Sequence, residues 1–184
     1  VWAVLLTMPV VYLTAGLGAT LVVAALKWLV VGRYRSRVEP QWSHFVWRTE
    51  FITGLYENVA VPWLLHWLAG TPLMAPALRL FGASIGRRVY MDSDYLTEFD
   101  LVHVGDDSEV SEATSLQTHL FEDRVMKMST VQIGRACTVG HRAVVLYDTA
   151  LEDGVELDAL SLVMKGETLP ADSRWRGIPA RLVE

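Results

Sequence analysis

The chain has 184 residues, a formal net charge of −5, 52% hydrophobic residues and seven Trp. With no excess of Lys and Arg to neutralise phosphates, the composition argues against a nucleic-acid partner. The single cysteine, Cys137, excludes a disulfide within the chain. The mean hydropathy of +0.28 is high for a soluble domain and points to a lipid-facing part.

Residues Val1 to Leu26 carry no charged side chain. The run exceeds the roughly 20 residues needed to cross a hydrocarbon core of about 30 Å. A transmembrane helix over residues 1–31 is expected, the alternative being a buried hairpin of two short helices. A cleaved signal peptide would begin with positive charge and have a shorter apolar core. The chain opens inside this apolar run, which suggests a piece of a longer protein. Lys27, Arg33, Arg35 and Arg37 follow, and such clusters stay on the cytoplasmic side. The expected location is therefore the cell membrane, with the N-terminus outside and the rest cytoplasmic.

From residue 32 to residue 82 a basic segment leads into apolar and aromatic residues at helical spacing, including Trp42, Phe45, Phe51, Leu55, Trp63 and Trp67. Pro62, Gly70, Pro72 and Pro76 are expected to cut this region into short helices. Between Phe51 and Ala69 Glu57 alone is charged. These helices are expected to lie in the membrane interface, to cap the following domain, or both.

From Ile85 the period changes. Ile133, Val139, Val145, Leu151, Leu157, Val163 and Leu169 stand six residues apart. Four residues after each comes a mostly small residue: Cys137, Ala143, Thr149, Val155, Ser161, Glu167, Ser173. An earlier set reads Val104, Val110 and Leu116, and before it Ile85 and Met91. A helix does not produce a period of six. Each hexad makes one flat side of a triangular coil, and every coil buries its interior only by stacking on its neighbours. The expected fold is mainly β: a left-handed parallel β-helix over residues 83–184, preceded by the transmembrane and interfacial helices. The step from Ile85 to Val104 is one residue too long, so a bulge is expected near Thr97 to Phe99. The step from Leu116 to Ile133 predicts an inserted loop.

The segment Thr130–His141 and the ending Arg176-Gly-Ile-Pro-Ala-Arg181 resemble the hexapeptide-repeat acyltransferases, over Ile85 to Glu184. A narrower likeness covers nearly the whole chain. Leu116–Met128, Leu162–Pro170 and the apolar start followed by Gly32-Arg-Tyr-Arg35 resemble the C-terminal region of membrane-bound peptide synthetases of the epsilon-poly-lysine type. That resemblance implies transfer of an aminoacyl group from a carrier-protein phosphopantetheine thioester to an amine or amino-acid acceptor. It also implies a carrier domain, sister β-helix domains and membrane lipid as partners, and a trimer or an intramolecular pseudo-trimer. Two alternatives stand beside it: a membrane-anchored acetyltransferase using coenzyme A, and a scaffold copy without catalysis.

His119 stands where the hexads break, and the resemblance implies that it is the general base. An imidazole titrates near neutrality, as that task requires. Glu122 and Asp123 are candidates to orient it or to hold a cationic acceptor. Lys165, Arg174, Arg176 and Arg181 are candidates to grip cofactor phosphates, or else form a solvated edge. A backbone N–H near Gly140 is a candidate oxyanion donor. His141, His103, His44 and His66 are expected to be surface or packing residues, and Cys137 to be packing. Trp175 is expected to cap the open coil end. No metal motif or phosphate-binding glycine loop is present.

Overall fold

The computed structural model describes residues 2–183, with side chains described from Thr7 onward. A 29-residue helix, Trp2–Val30, opens the chain. Its stretch Thr7–Val30 is long and apolar enough to span a membrane: 24 residues at 1.5 Å each make about 36 Å. One stripe of this helix is buried, comprising Gly16, Thr20, Val23, Ala24 and Lys27. These positions recur at the three- and four-residue steps of one helix face. Outside this stripe Val11, Leu13, Leu17, Leu21 and Val22 are exposed.

The buried stripe packs on a second, bent helix. That helix runs His44–Leu55 in α-form, Tyr56–Leu65 in π-form and His66–Leu68 in α-form again. Ser43 caps its start, accepting a hydrogen bond from the Val46 N–H at 3.3 Å. Pro62 lies inside the π-helical turns and does not cut the helix. A proline ring crowds the carbonyl one turn back and removes one ladder bond; the wider π-turn relieves that crowding. Here the two helices touch: Tyr12 stacks on Trp63 with ring centroids 5.9 Å apart, and its hydroxyl donates to the Pro62 carbonyl at 3.1 Å. Gly16 is required at the crossing, because a Cβ would run into the Trp63 carbonyl. Pro76 is likewise accommodated, in the first turn of a short helix, Met74–Phe81.

From Ser84 the chain winds as a triangular coil whose sides are three parallel sheets. One sheet stacks Ile85, Val104, Ile133, Leu151 and Leu169 in register. A second stacks Met91, Val110, Val139, Leu157 and Trp175. The third stacks Leu96, Leu116, Val145 and Val163. All of these except Leu96 and Trp175 are the hexad anchors of the sequence, and all but Trp175 are buried. The small positions also face inward: Ser108, Thr114, Cys137, Ala143, Thr149, Val155 and Ser161 are buried. Hydroxyls there stitch coil to coil, Ser108 donating to the Gly134 carbonyl at 2.8 Å and Thr114 to the Gly140 carbonyl at 3.0 Å. Gly134 follows an anchor because the next coil is too near for a side chain. A Cβ on it would meet the Asp153 nitrogen at 2.8 Å.

The coil is left twice. At Thr97–Leu101 the extra residue forms a bulge, with Glu98 at φ 36° and a 3₁₀ turn at Phe99–Leu101. Between Leu116 and Ile133 the insertion is a β-hairpin, not an irregular loop. Strand His119–Glu122 pairs antiparallel with Val125–Met128 around Asp123 and Arg124, both at positive φ. That is the primed two-residue turn that matches strand twist. Arg37–Pro40 adds a third strand beside Val125–Met128, so the segment read as basic linker is part of a sheet. At the far end, Trp175 packs on the core and Arg181–Leu182 pairs back on Arg174–Arg176, closing the open coil as expected.

Helices and coil share one core. The rings of Tyr56, Phe81 and Phe99 meet with centroids 4.8 to 5.3 Å apart, joining bent helix, short helix and bulge. Lys27, the first residue of the basic cluster, is enclosed by the protein. Its side chain is 0% exposed and its ammonium lies 2.5 Å from the Asp100 carboxylate and 3.5 Å from the Trp28 ring. Asp100 also accepts from the Tyr34 N–H at 3.0 Å. A buried charge needs such partners; the pair ties the end of the apolar helix to the bulge of the first coil. Arg37 lies over the Phe45 ring at 4.5 Å, while Arg33 and Arg35 are exposed.

Candidate active site

His119 begins the first hairpin strand, at the point where the chain leaves the coil. The Nδ1 atom lies 2.7 Å from Oε2 of Glu98. The bulge places that partner: Glu98 adopts a left-handed backbone, and its side chain is 0% exposed while His119 keeps 12%. Thr118 donates its hydroxyl to the same Glu98 oxygen at 2.6 Å. The other carboxylate oxygen, Oε1, is buried with no hydrogen-bond partner among the described residues. A left-handed backbone and an unsatisfied buried oxygen coincide at this residue.

An ionised carboxylate only accepts, so Glu98 fixes the imidazole proton on Nδ1 and leaves Nε2 as the basic atom. Burial by itself depresses the His119 pKa, but the hydrogen bond to Glu98 and the charges of Glu98 and Glu50 outweigh it, and the net shift is upward. A histidine held by a buried carboxylate at a chain break is equipped for general-base work.

Glu122 and Asp123 do not take part in this pair. Glu122 lies on the opposite face of the hairpin strand and accepts from Lys165 at 2.5 and 2.6 Å and from Lys127 at 3.2 Å. Asp123, in the turn, accepts from Lys127 at 3.0 Å. The basic residues near the end of the coil are likewise engaged. Lys165 is held by Glu122, while Arg174 and Arg176 lie 2.9 and 2.6 Å from the Asp158 carboxylate; Arg181 is exposed on the last strand. The Gly140 N–H donates to the Leu157 carbonyl at 2.8 Å, so it is spent on the coil ladder and does not serve an oxyanion.

His141 and His44 are exposed. His103 sits on a flat sheet face between Ser84 and Gln132. His66 is 70% exposed and faces Asp94 at 3.2 Å. Cys137 is buried, its N–H donates to the Ser108 hydroxyl at 3.1 Å, and burial pushes its thiol up, which suits packing and not nucleophilic attack. Glu98, the residue that completes the pair, carried one signal in the sequence: it falls at the centre of the expected bulge.

This architecture is shared with solved acetyltransferases at low sequence identity. A maltose O-acetyltransferase from Clostridium difficile 630 superposes with a TM-score of 0.56 at 16% identity, covering 86% of this chain and 95% of that one. A galactoside acetyltransferase in complex with coenzyme A gives 0.59 at 12% identity, covering 81% and 86%. A hexapeptide-repeat containing acetyltransferase from Vibrio cholerae gives 0.53 at 11%, covering 78% and 93%. The fold is therefore the left-handed β-helix of hexapeptide-repeat acetyltransferases. Over 165 residues, 90% of its length, the chain is 48% identical to the delta-poly-L-ornithine synthetase of Acinetobacter baumannii (strain AB307-0294). It spans 12% of the length of that relative. No protein-family model matches the sequence.

Proposed function

We propose that this chain is a membrane-tethered aminoacyl-transferring domain, forming an amide bond between a carrier-bound aminoacyl thioester and an amine acceptor. The observation that carries the reading is the 2.7 Å contact between His119 and the buried Glu98, placed where the insertion leaves the coil. Nε2 takes a proton from the acceptor amine as its nitrogen attacks the thioester carbonyl. The new C–N bond forms, the C–S bond breaks, and the imidazolium returns the proton to the departing thiolate. Glu98 stabilises the imidazolium between these two transfers. The likeness to a segment of a poly-amino-acid synthetase supports an amine acceptor; the donor in this reading is held on a phosphopantetheine arm of a carrier domain, and sister β-helix copies stand in the same protein. The apolar helix Thr7–Val30 and the exposed Trp47, Phe51, Trp63 and Trp67 of the second helix support a place at the membrane; the exposed Arg33, Arg35 and Arg37 after the apolar helix support a cytoplasmic coil.

Transfer from coenzyme A is the second reading. It is favoured by the galactoside acetyltransferase of the same fold, which binds that cofactor. The His119–Glu98 pair would serve either thioester. The phosphates of either donor would have to displace the carboxylates that hold Lys165, Arg174 and Arg176, so these residues do not separate the two readings.

The test is amide formation by the full parent protein in detergent, from an aminoacyl thioester of N-acetylcysteamine, comparing wild type with His119→Ala. A loss of about 10²-fold or more is expected in a variant that still folds cooperatively. Full turnover in the variant would make this domain a scaffold copy.

A further inference from the structure

The stretch from Lys27 to Pro40 makes contact with both elements that carry the His119–Glu98 pair. At its start it reaches the bulge. The Lys27 ammonium and the Tyr34 N–H engage the same oxygen of Asp100, at 2.5 and 3.0 Å. Asp100 stands in the 3₁₀ turn Phe99–Leu101 that Glu98 opens, and the Leu101 N–H donates back to the Glu98 carbonyl at 2.8 Å. Gly82 closes around the ion pair: a Cβ on it would lie 2.6 Å from the other Asp100 oxygen and 3.1 Å from the Lys27 nitrogen. Tyr34 is buried, and after burial the charge of Glu98 is the largest influence pushing its phenol up.

At its end the same stretch borders the hairpin. Arg37 stands opposite Met128 and Met128 opposite His119, so the three share one cross-strand row. The Gln41 N–H donates to the Arg124 carbonyl at 3.0 Å, closing that strand pair at the hairpin turn. Glu98 holds a φ of 36°, and a residue in that region stays there only where its surroundings hold it. A buried ion pair gains little net stability over apolar packing. What Lys27 and Asp100 supply is placement, one turn from Glu98.

We propose that Lys27 and Asp100 are positioning residues, whose ion pair fixes the 3₁₀ turn so that the Glu98 carboxylate meets His119. Strand Arg37–Pro40 fixes the other half, the hairpin that begins with His119. The apolar helix is thereby a working part of the active site as well as an anchor. The kinetic consequence rests on the function proposed above; the placement of Glu98 against His119 does not.

The experiment uses the full parent protein in detergent, with the N-acetylcysteamine thioester as donor. Lys27→Met with Asp100→Asn removes both charges together, so no buried charge is left unpaired. The charged groups acting on His119, Glu98 from the bulge and Glu50 from the second helix, are untouched. The double variant is expected to melt cooperatively and to lose about tenfold or more in kcat with KM unchanged, since a displacement of about 1 Å can cost about 10²-fold. The acid limb of its pH profile is expected to move to lower pH. Leu157→Ala, inside the later coils, controls for lost stability and should keep the limb in place. An acid limb at the wild-type position in the double variant overturns the proposal, as does an equal shift in Leu157→Ala. Carbethoxylation of His119 by diethyl pyrocarbonate, followed by mass spectrometry against pH, reads the imidazole without turnover. A midpoint lowered in the double variant supports the positioning role even if His119→Ala keeps full turnover and the catalytic reading falls. An unchanged midpoint sinks the positioning role whatever the kinetics show.

Discussion

Glu98→Gln removes one charge and almost no volume from a side chain that is fully buried. In the wild type Glu98 accepts at 2.7 Å from His119 and is the group that reverses the effect of burial on the imidazole. A hydrogen bond to a charged group is worth about 1.5–3 kcal/mol. Losing that hydrogen bond and charge lowers the His119 pKa. The neutral imidazole is the active base, so activity falls as pH drops through its pKa. The raised wild-type pKa sets the acid limb above the ordinary histidine range; in Glu98→Gln that limb moves to lower pH. A weaker base also lowers the plateau, by about 10- to 100-fold. The assay is kcat/KM for amide formation against pH in the parent protein, with melting temperature as the folding control. An acid limb at the same pH in both proteins would refute the pairing of His119 with Glu98 as the source of its basicity.

Removing the Lys27 ammonium leaves Asp100 buried and unpaired, so Lys27→Met is expected to cost about 3–5 kcal/mol. Lys27→Met with Asp100→Asn should recover much of that in thermal denaturation in detergent. Leu157→Ala empties a stacked interior position between Val139 and Trp175 and is expected to cost about 2–5 kcal/mol; it is measured by chemical denaturation. Gly134→Ala places a methyl 2.8 Å from the Asp153 nitrogen. The coils must separate to admit it, and the melting temperature should fall, whereas Ala at Gly54, which has nothing nearby, should be tolerated. Because the folded pKa of His119 is raised, its pairing stabilises the fold below about pH 6.5, the ordinary histidine value. That stability is lost as pH rises through the raised value. The melting-temperature difference between wild type and His119→Gln should therefore shrink from pH 6 to pH 9.

The period of six was legible because each hexad repeats one local instruction: an aliphatic inward, then a small residue at the corner. Register followed from it, and Ile133, Leu151 and Leu169 stack as their spacing required. His119 stood out because it sits where that period fails. The apolar length of the first helix was likewise plain, since crossing length is a count of residues. What the sequence withheld are pairings between residues far apart in the chain. The strand Arg37–Pro40 has no alternation to announce it; it exists because the hairpin offers an open edge nearly ninety positions later. Lys27 stands in a basic cluster in the sequence, and only the fold shows that Asp100, at a separation of 73, encloses it. Pro62 read as a helix break because its cost is local, while the π-turn that absorbs it is set by packing against the first helix. Glu122 and Asp123 stand near His119 in the sequence, but strand alternation and the hairpin turn point them at Lys127 and Lys165. Glu98, 21 positions before His119, reaches it because one coil brings the chain back above itself. Local repetition determined the coil; long-range closure alone decided which acid faces the histidine.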